Sequence, residues 1–130
     1  MKVLLDTNVV LSWSLDRRSV RPEVEALLMD AGTTRLMSAV VPWEVAIKWR
    51  IGKLPLPVHP REWIETAVRR LVLTPLPVDQ VHVIGVADLP DHHADPFDRL
   101  LIAQALVEGV PIVTADRNIP RYDVETVPAL

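Results

Sequence analysis

The sequence predicts an α/β fold of three layers, with helices on both faces of a small central parallel sheet of four or five strands. Three observations carry this reading. The chain has 130 residues, 49% of them apolar, which suits a single domain over residues 1–130 with a real core. Short apolar runs such as KVLL at residues 2–5 and PIVT at 111–114 read as strands buried on both faces. Helical stretches alternate with these runs, and the right-handed crossover rule then lays them over both faces of a parallel sheet.

The elements follow in order. Lys2 to Leu5 is the first strand. Thr7 to Trp13 reads as a short helix and Pro22 to Ala31 as a clearer one, with a second strand at Arg35 to Met37. Trp43 to Ile51 is helical and ends near Gly52, which suits a C-cap. Pro60 to Leu71 is amphipathic, with proline in its first turn. Val72 to Thr74 is the third strand and Val78 to Ala87 a helix. Pro96 to Glu108 is the strongest helix, closed by Gly109. Pro111 to Thr114 is a strand, and Val124 to Val127 a weak last one. Prolines, 12 in all, punctuate the connections.

Composition narrows the function classes. Net charge is −3, so any nucleic-acid footprint must be local. Without cysteine there are no disulfides, thiolate nucleophiles or cysteine zinc sites, which agrees with a reducing cytoplasm. The opening MKVLLDTNVVL carries Asp6 and Asn8 inside its apolar stretch, and reads as neither a signal peptide nor a membrane span. The expectation is a cytoplasmic protein with no membrane partner. No P-loop, nucleophile elbow or dinucleotide glycine motif is present.

The chemistry sits in the acids. In open parallel sheets, ligands bind beyond the carboxyl ends of strands, near the switch in strand order. Asp6 follows KVLL and Asp116 follows PIVTA. Each has a plain structural reading: Asp6 as a helix cap, Asp116 as the opening of the turn ADRN. In HHADPFDRLLIAQA, Asp95 is the expected N-cap, with Pro96 first in the helix and Asp98 third, as in a capping box. Asp98 differs, because projection at 100° per residue puts it mid-arc among Leu101, Ile102, Ala105 and Leu106. An inward acid needs a partner. Glu44 and Lys48, four residues apart, fit a surface ion pair. Acids converging in one crevice would instead repel one another unless a divalent cation joined them. Oxygen donors suit Mg²⁺ or Mn²⁺.

Histidines His59, His82, His92 and His93 lack zinc-type spacing and read as loop residues, with His92 and His93 close to the cleft. Lys48, Arg50 and Lys53 follow Glu44, where they could meet phosphates. Trp13, Trp43, Trp49 and Trp63 are candidates for an exposed partner surface.

LLDTNVVL, WEVAIKWRIGKLPLP, HHADPFDRLLIAQA and IVTAD occur in this order, and the set closely resembles PIN-domain ribonucleases of the VapC toxin type along essentially the whole chain. The resemblance implies a three-layer fold and an RNA-cleaving site of four acids, matching Asp6, Glu44, Asp98 and Asp116 here. Asp6, Asp98 and Asp116 would hold Mg²⁺, with Mn²⁺ a possible substitute. Glu44 would complete the shell or orient water, and Asn8, Asp95 and Thr114 would support. It also implies a VapB-type antitoxin partner, a homodimer and a toxin role. Val41-Pro42 departs from ordinary helix-start residues. Two alternatives stand: a stand-alone PIN nuclease, and a catalytically silent binding module on the same fold. A receiver-like domain would need an acceptor Asp after its third strand and a lysine after its last, and TPLPVD and VPAL supply neither.

Overall fold

The computed structural model describes residues 1–129. Its strands are β1 (Lys2–Leu5), β2 (Thr34–Ser38), β3 (Leu73–Leu76), β4 (Ile112–Thr114) and β5 (Thr126–Pro128), and its helices are α1 (Thr7–Leu15), α2 (Pro22–Met29), α3 (Val40–Arg50), α4 (Pro60–Arg70), α5 (Gln80–Gly85) and α6 (Pro96–Glu108). The sheet is entirely parallel, in the order β3-β2-β1-β4-β5. The chain therefore builds outward from β1 to β3, then returns to the other side of β1 with β4. The order switches between β1 and β4, and the crevice for a ligand opens there.

Alternation along the strands divides the core. Val3 and Leu5 of β1, Met37 of β2 and Val113 of β4 pack with Val9, Trp13, Leu28, Val45 and Trp63 on one face. Leu4, Leu36 and Ile112 point the other way, onto Leu101, Ile102 and Ala105 of α6. Successive strand side chains point to opposite faces, so two helical layers cover a strand that is buried on both sides.

Several boundaries differ from the sequence reading. Helix α3 starts at Val40, and the Val41-Pro42 pair lies within its first turn. Proline there forfeits an N–H that has no helical partner anyway. The Val40 amide instead donates to the Ser38 hydroxyl at 3.0 Å. The third strand is shifted to Leu73–Leu76, with Val72 outside it at φ 51°. It tolerates Pro75 because it lies at the sheet edge. The stretch expected as helix from Val78 divides into α5 and a 3₁₀ turn at Val86–Asp88. No helix among the described residues is long and apolar enough to cross a membrane.

Candidate active site

Register places the first two acids. Leu5 pairs with Val113, so the residues that follow leave the sheet side by side at the switch point. The Asp6 amide donates to the Val113 carbonyl at 3.0 Å. Thr114 Oγ1 then donates to Asp6 Oδ2 at 2.8 Å and accepts the Asp116 amide at 3.0 Å. Asp116 Oδ1 accepts the Asn118 amide at 2.7 Å, so the turn expected of ADRN does form, and it fixes the carboxylate beside Asp6. Asp6 precedes α1 without capping it by its side chain.

Helix α6 brings Asp98. Asp95 Oδ1 accepts the Phe97 amide at 2.9 Å and the Asp98 amide at 3.0 Å, the N-cap read from the sequence. The reciprocal half of the capping box does not form. Asp98 turns inward and its Oδ2 meets His93 Nε2 at 3.2 Å. The buried arc is also rotated from the one projected. Gln104 is fully buried and donates to the Pro77 carbonyl, while Leu106 is exposed. Helix α5 packs against α6, which is what covers Gln104.

Helix α3 brings Glu44, buried at 5% exposure and ion-paired to Lys48. The i,i+4 pair is thus real, but its acid lies in the interior rather than on the surface. Lys48 is also close enough to feel Asp95 and Asp98, and the Glu44 bond holds its ammonium above the ordinary lysine range. A cleft of about 170 Å³ is lined by Thr7, Asn8, Glu44, Lys48 and Lys53, and Asn8 also lines the neighbouring depression with Asp116, Arg117 and Asn118. The Thr7 hydroxyl is buried and has no hydrogen-bond partner among the described residues.

Asp6, Glu44 and Asp98 are all buried, and with Asp116 they share one field. Burial, opposed by the Thr114 bond, pushes the Asp6 carboxyl up to about 6, and Glu44 and Asp116 raise it further. Burial likewise pushes Asp98 up to about 8, helped by Asp6, Asp95, Asp116 and Glu44. Among the described residues no three acids or imidazoles are set close enough together to hold a metal ion as they stand. The donor set still suits a hard divalent cation. Mg²⁺ keeps several waters and takes only one or two carboxylates directly, and positive charge would offset both the burial of Asp6 and Asp98 and the smaller repulsion among the acids.

Sequence reasoning missed His93 as the contact of Asp98, together with Tyr122 and Arg99 behind it. The signal present was only that His92 and His93 lie beside the motif. Of the four tryptophans, Trp13 and Trp63 are buried and Trp43 is half exposed, its ring set edge-on to Phe97 at 4.8 Å.

The family described as the PIN domain matches residues 3–125. Ribonuclease VapC16 of Mycobacterium tuberculosis is 38% identical over 60 residues, which are 46% of this chain and 43% of that protein; the match spans less than half the length of that relative. Among solved structures, VapBC2 from Rickettsia felis bound to a DNA fragment from its promoter gives a TM-score of 0.73 at 15% identity, covering 100% of both chains. DNA-bound VapBC from Salmonella typhimurium gives 0.72 at 16% identity, covering 98% of each. At these identities the likeness shows a shared fold.

Proposed function

The chain belongs to the PIN-domain family, and from that premise we propose that it is a Mg²⁺- or Mn²⁺-dependent endoribonuclease, the toxin of a type II toxin–antitoxin pair. The observation that carries the reading is that four acids, from β1, α3, α6 and the β4 end, lie near enough at the switch point of the sheet to act on one another, and that burial, with their repulsion added, raises Asp6 and Asp98. Acids so arranged, beside a cleft bearing Lys48 and Lys53, fit hydrolysis of a phosphodiester.

Asp6, Asp98 and Asp116 are the residues that would hold the ion. When bound, it would lower the pKa of water, polarise the scissile phosphate and stabilise charge on the leaving oxygen. Glu44 would complete that shell or orient the attacking water. Thr114 supports by joining Asp6 to the Asp116 backbone, and Asp95 supports by setting the start of α6. Asn8 lies where both depressions meet and can contact either substrate or water. Lys48 and Lys53 offer positive charge to the RNA backbone. In-line attack by water would leave a 5′-phosphate and a 3′-hydroxyl.

Residues 1–130 would act as one nuclease domain in the cytoplasm. The partner would be a VapB-type antitoxin, by analogy with the VapBC proteins that share the fold. Self-association as a homodimer would have exposed apolar residues to use, Trp43, Val83 and Ile84 among them.

The test is cleavage of RNA by the purified protein in Mg²⁺, in EDTA, and by the Asp98→Asn variant. Cleavage in Mg²⁺ that both EDTA and the variant abolish is the expected result. Cleavage surviving EDTA would sink the metal mechanism, and wild-type activity in the variant would sink the role of Asp98.

A further inference from the structure

We propose that His93 is a positioning residue, holding Oδ2 of Asp98 through a donated Nε2–H, and that Tyr122 fixes the tautomer that makes the donation possible. The inference rests on the reading of Asp98 as an ion-holding acid.

Hydrogen accounting around Tyr122 gives the tautomer. The Tyr122 hydroxyl receives Arg99 Nη1 at 3.1 Å and the His93 backbone amide at 3.3 Å. Guanidinium and amide nitrogens only donate, so both contacts occupy lone pairs of the phenol oxygen. Its single proton is left for His93 Nδ1, 2.7 Å away. A ring that accepts at Nδ1 carries its proton on Nε2, and that nitrogen faces Asp98 Oδ2 at 3.2 Å. The chain of donation runs from Arg99 to Tyr122 to His93 to Asp98. Oδ1 of Asp98 accepts nothing among the described residues and is free for an ion or its waters.

The relay is rigidly built. Arg99 also donates to the Pro90 carbonyl at 2.8 Å, and Arg121 to the His92 carbonyl at 2.9 Å. The rings of His92 and His93 both meet Tyr122 edge-on, at 4.8 and 5.4 Å. Both histidine and acid are nearly buried, with side chains 12% and 11% exposed. Partners behind a ligating group fix its orientation, and their loss typically lowers metal affinity about ten- to a hundredfold.

A plain structural role, with His93 only stapling its loop to Tyr122, predicts a different outcome. The experiment uses the full chain and Mn²⁺ alone as probe. Two-bond ¹H–¹⁵N correlation of the wild-type ring is expected to show the Nε2-protonated tautomer, and Tyr122→Phe to mix in the other. Calorimetry is expected to show Mn²⁺ binding weakened by about tenfold or more in His93→Asn and largely restored in His93→Gln, whose amide nitrogen lies where Nε2 does. A ring protonated at Nδ1 would overturn the proposal, and so would equal Mn²⁺ affinities for the Asn and Gln variants. Asp98→Asn is measured beside them. If it binds Mn²⁺ like wild type, the reading of Asp98 fails and takes this proposal with it. If it binds weakly while His93→Asn does not, only the positioning role fails.

Discussion

Thr114 Oγ1 donates to Asp6 Oδ2 across 2.8 Å, joining the ends of two adjacent parallel strands through their side chains. The same oxygen receives the Asp116 amide at 3.0 Å, so one hydroxyl orders two acids. Thr114→Val keeps the shape and β-branching while removing both bonds. The loss takes one hydrogen bond from the buried Asp6 carboxylate, which keeps its bond to the Thr7 backbone, and leaves the part-buried Asp116 amide without its partner, at a cost of about 1–3 kcal/mol. Urea melts are expected to show destabilisation of this order, and RNA cleavage to fall about ten- to a hundredfold. Thr114→Ser is expected to recover most of both. A Val variant as stable and active as wild type would remove the support role.

Asp98 and Asp6 make stability depend on pH in an unusual sense for acids. Their folded values, about 8 and about 6, lie above the ordinary 3.8. Between 3.8 and those values the folded state binds protons that the unfolded state has released, so stability of the metal-free protein falls as pH rises through this window. Thermal melts in EDTA are expected to give a higher Tm at pH 5.5 than at pH 8.5. Mg²⁺ is expected to raise Tm more at the higher pH, where the carboxylates are ionised. Asp98→Asn is expected to flatten the dependence; a slope unchanged by that substitution would place its origin elsewhere.

Asp95 and Asp98 are separable although three residues apart. Asp95→Ala removes the cap from two amides and is expected to cost about 0.5–2 kcal/mol, whereas Asp95→Asn caps about as well. If Asp95 acts only by starting the helix, the Asn variant retains cleavage. A large loss of cleavage in a fully stable Asn variant would give Asp95 a direct role.

That split shows what was legible in the sequence and why. Strand β1 and helix α6 were read to the residue because local signals agree: an unbroken apolar run in one, and an acid-proline start with a glycine stop in the other. The start of α3 and the end of β3 were misread because Pro42 and Pro75 are tolerated for positional reasons, an unpaired first turn and a sheet edge, which only the fold supplies. Asp6 and Asp116 were singled out through strand ends and Asp98 through a helix projection, whereas Glu44 was singled out only through the family resemblance. Tyr122 was not found, because it lies 29 residues from His93 and no local pattern links them. Glu44 looked like half of a surface pair; packing of α3 onto the sheet made it an interior acid.

Val72 supplies a prediction independent of the site. Its φ of 51° puts a β-branched residue in the left-handed region, where the side chain crowds the backbone. Arg35 Nε donates to the carbonyls of Leu71 and Val72 at 2.9 and 3.3 Å, which holds the turn between α4 and β3 in place despite that crowding. The side chain is 66% exposed, so little packing is lost on replacing it. Asparagine tolerates this conformation far better than valine. Val72→Asn is therefore expected to stabilise the protein by about 1 kcal/mol, raising Tm by a few degrees, with RNA cleavage unchanged. A variant no more stable than wild type would mean that the turn relaxes away from this conformation in solution.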